Sequence, residues 1–205
     1  MSVILLASRN TKKLVELSRI LEPVVPAVRV LGLADVDHYA EPVETEPTFE
    51  GNALLKARAA VTATGLASLA DDSGICVDAL NGMPGVLSAR WSGNAALPDK
   101  DAANNALLLA QLSDVPDHRR GAEFRCAIAF VLPGGEEHVE TGVMRGRVLR
   151  TTSGGGGFGY DPLFAAEGYD VSTADLSVAD KDAISHRGKA LRAMAPLVAE
   201  MLGRS

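Results

Sequence analysis

Two adjacent carboxylates, Asp71 and Asp72, followed by Ser73 and Gly74, stand at the end of the apolar run Ser68-Leu69-Ala70. If that run is a short strand, its alternating side-chain direction sends the two acids to opposite sides of a sheet, so only one of them faces a given site. Upstream, an acidic, proline-punctuated stretch carries Glu41, Glu44 and Glu46, with Glu50 just beyond it. One of these acids joined to one of the aspartates makes an oxygen pair suited to Mg2+, which takes one or two carboxylates and completes its shell with water and phosphate oxygens. The same Asp-Asp-Ser-Gly equally suits an Asp-rich turn with Ser73 as a capping residue.

Ser8-Arg9-Asn10-Thr11-Lys12-Lys13 lies between an apolar run, Val3 to Ala7, and a stretch in which Leu14, Leu17, Ile20 and Leu21 recur at helical spacing. A strand-to-helix junction offers free backbone N–H groups and a favourable helix dipole, and with lysines beside it such a junction suits a bound phosphate. Asn10 or Thr11 acting only as a helix cap, with solvated lysines, is the alternative.

Gly154-Gly155-Gly156-Gly157 followed by Phe158-Gly159-Tyr160-Asp161-Pro162 adds almost nothing to a core. Such a run serves backbone shape and close approach, and Phe158 and Tyr160 offer flat surfaces beside it, as a nucleobase would require. Gly154, Gly156 and Gly159 also fit G-x-G-x-x-G, but Tyr160 to Phe164 reads as extended chain rather than the helix a dinucleotide fingerprint needs. Lys181, His186 and Arg187 cluster at the start of a last helix, near Ser185, where cations oppose the helix dipole. A function that needs positive charge explains that placement better than stability does.

The elements that must position these groups follow from periodicity. A helix capped by Thr48 runs to Gly65, one capped by Asp99 runs through Leu112, and the chain reverses in a loop from Asn81 to Asn94. Ala122–Leu132 pairs across Pro133-Gly134-Gly135 with Glu137–Leu149 as a long hairpin, and the last helix buries Leu191, Met194, Leu197, Val198 and Met201. Strand–helix alternation together with a hairpin predicts an α/β fold with a mixed sheet.

A chain of 205 residues, 47% hydrophobic, is long enough to bury a core as a single, bilobed domain over residues 1–205. Twenty Lys and Arg against 26 Asp and Glu give a net charge of −6, which argues against a nucleic-acid backbone as partner. Cys76 and Cys126 sit in apolar, strand-like surroundings and read as buried free thiols. The N-terminal apolar run is too short for a signal peptide and no segment approaches a membrane span, so the protein reads as cytoplasmic with no membrane partner.

In order along nearly the whole chain, Ser8 to Lys13 with Glu16, Thr48-Phe49-Glu50-Gly51-Asn52-Ala53, Leu69 to Gly74, Pro84 to Arg90, Gly157 to Phe164 and Ser185 to Leu191 resemble the inosine/xanthosine triphosphate pyrophosphatase family. The resemblance implies hydrolysis of ITP, dITP or XTP to the monophosphate and pyrophosphate, with Mg2+, in a homodimer. It also implies an elongated mixed β-sheet with flanking helices and two lobes around a central cleft. By position, Asp72 matches the proton acceptor and a metal ligand, and Glu44 the second ligand, with Glu50 as the alternative. Ser8, Arg9, Asn10, Thr11, Lys12, Lys13, Ser73, Phe158, Gly159, Tyr160, Asp161, Lys181, His186 and Arg187 match substrate contacts.

On that basis Lys13 and Lys181 meet the polyphosphate, and backbone N–H groups near Phe158 and Gly159 meet the 6-oxo group that hypoxanthine and xanthine carry and adenine lacks. A donor from His186 or Arg187 near purine C2 then opposes the 2-amino group of guanine. Two other readings remain open. Ser73 can act as a nucleophile aided by His186 and Asp161, or the chain can bind a nucleotide without turnover.

Overall fold

The computed structural model describes residues 2–25, 28–93 and 99–203, and at Lys12 the backbone alone. The Lys12 side chain and Asn94 therefore lie outside the described residues. Six strands form one mixed sheet in the order β2-β1-β3-β4-β5-β6. They are β1 (Val3–Leu6), β2 (Arg29–Leu31), β3 (Ala67–Val77), β4 (Gly121–Val131), β5 (Glu137–Val148) and β6 (Phe164–Ala166). β1 runs parallel to both β2 and β3, whereas β6 is antiparallel to β5. The helices are α1 (Thr11–Leu21), α2 (Phe49–Thr64), α3 (Lys100–Gln111), α4 (Val178–Ile184) and α5 (His186–Gly203).

The described residues fall into two compact units. The first comprises Met1–Asp72, Cys126–Gly142 and Arg187–Ser205, and the second Ser73–Arg125 and Val143–His186. In the first, Ile4 and Leu6 of β1, Leu17 and Leu21 of α1, Leu69 of β3, Ile128 and Phe130 of β4, and Leu191, Met194, Val198 and Met201 of α5 make the core. Their recurrence at helical and strand spacing is the pattern read from the sequence. In the second, Ile75, Val77, Leu108, Leu112, Phe124, Met144, Val148, Leu163 and Phe164 pack together, with the Phe124 and Phe164 rings edge-to-face at 4.7 Å. Truncating one such fully buried leucine to Ala costs about 2–5 kcal/mol.

Local signals set the helix ends. Thr48 Oγ1 accepts from Gly51 N at 3.0 Å, and Gly65 closes α2 in the left-handed region at φ +69°. Asp99 Oδ1 accepts from Ala102 N at 2.9 Å and starts α3. Each cap contributes about 1 kcal/mol. The hairpin is also present, since β4 and β5 are sheet neighbours and Leu132 N donates to Glu136 O at 2.9 Å across the turn.

Asp71-Asp72-Ser73-Gly74 is not a turn. It lies inside the eleven-residue β3, and the chain turns back only at Asn81 and Gly82, both with positive φ. Gly74 is what lets β3 continue, because a Cβ there would collide with Ser88 and with the Gly85 carbonyl. The chain after Asp161 also departs from the extended reading, forming a short 3-10 turn over Asp161–Leu163 before β6. α4 was not legible as a helix separate from the last one; Ser177 caps it by accepting from Asp180 N at 3.1 Å. Among the described residues no helix is long and apolar enough to cross a membrane.

Candidate active site

β3 sends its two aspartates to different partners within the first unit. Asp71 is buried, and both of its oxygens lie 2.7 Å from Lys13 Nζ of α1, with Arg187 Nε of α5 3.2 Å from Oδ2. Burial alone would raise this carboxyl, but Lys13, Arg187 and Lys56 outweigh it and hold it well below the usual carboxylate range. Burial would likewise lower the Arg187 guanidinium, and Asp71, Cys126 and Glu16 raise it instead. Glu16 Oε2 stands 4.0 Å from Arg187 Nη1.

Asp72 takes the opposite side. Its Oδ2 accepts from Asn52 Nδ2 at 3.0 Å, and its Oδ1 lies 3.5 Å from Lys56 Nζ. Lys56 also donates to Glu44 Oε1 at 2.6 Å, so one ammonium joins an acid of the irregular acidic segment to an acid of β3. Burial raises the Asp72 carboxyl above its ordinary value, Lys56 lowers it and Glu44 raises it. For Lys56, burial lowers the ammonium, but Asp72, Asp71 and Glu44 raise it overall. Asn52 is fully buried and anchors both segments, since its Oδ1 accepts from Glu46 N at 3.0 Å. Glu50 is exposed at the start of α2, and it is Glu44 that shares a cation with Asp72. Gly51, one position before Asn52, brings no ligand to this face.

The strand-to-helix junction is built as the sequence suggests. Ser8 Oγ accepts from Asn10 N at 3.2 Å, and Asn10 Oδ1 takes Lys13 N at 3.4 Å. Ser8, Arg9, Asn10 and Thr11 line a pocket of about 380 Å³ with residues 32–39 and Glu41, and Arg9 Nε pairs with Glu41 Oε1 at 2.6 Å.

In the second unit, Phe158 to Asp161 is tied down at nearly every polar atom. Phe158 N donates to Asp161 Oδ2 at 2.8 Å and Gly159 N to Asp101 Oδ2 at 2.7 Å. These are the two N–H groups expected to meet a purine 6-oxo group, and in this structure carboxylates accept from both. Asp161 is buried and also accepts from Thr173 Oγ1 at 2.9 Å and from Lys181 Nζ at 2.5 Å. Tyr160 offers no flat surface. The residue is 4% exposed and its hydroxyl donates to Ser88 O at 2.9 Å, whereas Phe158 is 47% exposed with Lys181 Nζ 5.8 Å from its ring centroid. Gly157 has φ +75°, and a Cβ there would strike Asp161 and Lys181. The His186 ring stacks on Phe124 at 5.0 Å and 13°, and Ser73 is half-buried on β3.

Lys56, Asn52, Asp101 and Asn105 escaped the sequence reading. A signal existed for the first two: Asn52 and Lys56 are four residues apart on α2, polar positions beside the buried Ala53, Ala57 and Ala60.

A family model, the Ham1 family, matches residues 4–197. The chain belongs to that family. Among relatives of this Ham1-family chain is a "dITP/XTP pyrophosphatase" from Nocardia farcinica, 58% identical over 100% of this chain and 98% of the relative. Another of the same name from Mycobacterium tuberculosis is 56% identical over 94% of this chain and 93% of its own length. A crystal structure of a nucleoside-triphosphatase, dITP/XTP pyrophosphatase, from Mycobacterium abscessus superposes with TM-score 0.79 at 57% identity, covering 95% of this chain and 99% of that one. A HAM1 protein from Coxiella burnetii superposes with TM-score 0.87 at 36% identity over 100% of both chains. The family resemblance carried by the ordered motifs is borne out.

Proposed function

We propose that this chain hydrolyses deaminated purine nucleoside triphosphates, dITP, ITP and XTP, to the nucleoside monophosphate and pyrophosphate. The observation that carries this reading is the sharing of one cation, Lys56 Nζ, by Glu44 and Asp72 from separate segments. Relatives that are 52–58% identical and carry the name dITP/XTP pyrophosphatase support the substrate class.

The two carboxylates that converge on Lys56 fit Mg2+, an ion that takes few carboxylates and leaves the rest of its shell to water and phosphate. When bound by Glu44 and Asp72, Mg2+ would polarise a water and the phosphate oxygens there. Asp72 accepts the proton of the water that attacks the α-phosphorus. Its carboxyl, raised by burial, is a better base than an ordinary one, and Asn52 fixes its orientation. A triphosphate carries about four negative charges and Mg2+ offsets about two of them, so about two protein cations are needed. Lys13 and Lys56 are the first unit's candidates, Lys13 exchanging Asp71 for phosphate, while Ser8 to Thr11 present the helix N-terminus. Lys181, already bound to Asp161, stands with Phe158 as part of the base-binding segment, and Ser73 and His186 complete the second unit's contacts. Arg187 acts from behind, through Asp71.

This reading also makes the protein a cytoplasmic, Mg2+-dependent homodimer. The net charge of −6 supports a nucleotide rather than a nucleic acid as its partner. The test is pyrophosphate release from a panel of standard and deaminated nucleoside triphosphates, with and without EDTA. Turnover of dITP, ITP and XTP, slow turnover of dATP, and loss of activity in EDTA are expected. Equal turnover of all nucleotides, or activity that survives chelation, would overturn the reading.

A further inference from the structure

Gly159 is gripped at both ends by one helix. Its N–H donates to Asp101 Oδ2 at 2.7 Å and its carbonyl accepts from Asn105 Nδ2 at 3.0 Å, and these two side chains are one turn apart on α3. The first bond fixes the Phe158–Gly159 peptide and the second the Gly159–Tyr160 peptide. With Phe158 N held by Asp161, the half-exposed Phe158 ring is held from both sides along the chain.

Stability alone does not call for this arrangement. Asn105 stands in line with Leu108 on the buried face of α3 and with Leu112 at its C-terminal cap, where an apolar side chain would pack with the core. It is 6% exposed, and its buried Oδ1 has no hydrogen-bond partner among the described residues. An unmet buried acceptor is unfavourable, so the fold tolerates a penalty at this position in order to hold the Gly159 carbonyl. The neighbouring Asn104, also buried, donates to Ser88 O at 3.3 Å, the same carbonyl that receives the Tyr160 hydroxyl. α3 is thus a rigid backing for the whole Phe158–Tyr160 segment.

We propose that Asp101 and Asn105 are positioning residues that set purine selectivity by fixing Gly159, and through it the Phe158 ring. The proposal rests on the nucleotide-hydrolysis reading above for its substrate. A base stacked on Phe158 finds its 6-position at a place defined by the Gly159 peptide planes. Loosening those planes should affect a well-fitted 6-oxo purine more than a poorly fitted 6-amino purine.

The experiment measures kcat and KM for dITP and dATP with the wild type, Asp101→Ala, Asp101→Asn and Asn105→Leu, together with hydrogen exchange at Gly159 N–H without nucleotide. Asp101→Ala and Asn105→Leu are expected to raise KM for dITP and to cut the dITP/dATP ratio of kcat/KM about tenfold or more. Asp101→Asn, which keeps an acceptor for the Gly159 N–H, should retain most of the ratio. Gly159 exchange should speed up in Asp101→Ala, and Asn105→Leu should melt no lower than the wild type. An unchanged ratio in both Asp101→Ala and Asn105→Leu, or an equal loss for both nucleotides, would overturn the proposal. A wild type that does not prefer dITP over dATP defeats the hydrolysis reading. The grip on Gly159 is then judged by exchange, and unchanged exchange in Asp101→Ala defeats it.

Discussion

Asp71 and Asp72 are neighbours on β3, yet their hydrogen-bond and ion-pair partners differ: Asp71 is held by Lys13 and Arg187, and Asp72 by Asn52 and Lys56. The pleat of the strand makes this separation, since successive side chains leave on opposite sides. One acid is thereby enclosed by cations and the other is placed beside Glu44. Asp72→Asn should therefore remove the proton acceptor while keeping one oxygen on a side chain of the same size. Turnover should fall about 10²–10⁴-fold with KM little changed. Near-normal kcat would remove Asp72 from the mechanism.

Asp71→Asn should instead act on the fold. It removes the counter-charge that Lys13 and the buried Arg187 share, a loss of about 3–5 kcal/mol. The pH dependence has a definite sign. The folded carboxyl is depressed, so its contribution is fully present above the unfolded value of about 3.9 and declines as pH falls below it. Urea unfolding of the two proteins across pH 3 to 7 should show the wild-type advantage shrinking toward the acid end. A gap that stays constant with pH would mean that Lys13 and Arg187 do not hold the carboxylate.

Lys56→Met separates the cation from the acids it joins. Without the ammonium, Glu44 and Asp72 repel one another, which should cost about 2 kcal/mol, or roughly 4–8 °C in Tm for a chain of this size. Added Mg2+ should restore much of that loss, because an ion bound only by the folded state stabilises it. Thermal melts in EDTA and in Mg2+ decide the matter. A variant that melts at the same temperature in both does not use this acid pair for a divalent ion.

Part of this arrangement was legible in the sequence because the signals were local. Thr48 and Gly65 mark α2, Asp99 starts α3, and the apolar spacing of α1 and α5 gives their buried faces. Asp71 to Gly74 reads as the end of a strand and equally suits a turn, because its composition is that of a turn. It stays extended because β3 is a central strand and the 85–88 segment packs against Gly74, contacts that no window of neighbouring residues contains. The link from Glu44 to Asp72 through Lys56 was invisible for a similar reason. Glu44 and Lys56 are twelve positions apart across an irregular segment, and no periodicity relates them. Phe158 and Tyr160 look equivalent in sequence, and only the Ser88 carbonyl shows that Tyr160 turns inward.

Cys126 tests the packing of the first unit from inside. It lies on β4 within the core, and burial, with Asp71 adding to it, pushes its thiol up to about 12. Because the thiolate is the species that alkylates, almost none is available at pH 8 in the folded protein. Cys76 is half-buried, and burial raises its thiol as well. Iodoacetamide at pH 8 should therefore modify Cys76 slowly and Cys126 only at the rate of unfolding, with both reacting quickly in 6 M guanidinium. Intact mass measured over time distinguishes one adduct from two. Rapid double labelling of the native protein would mean that the Leu69, Ile128 and Met194 core opens far more readily than its burial implies.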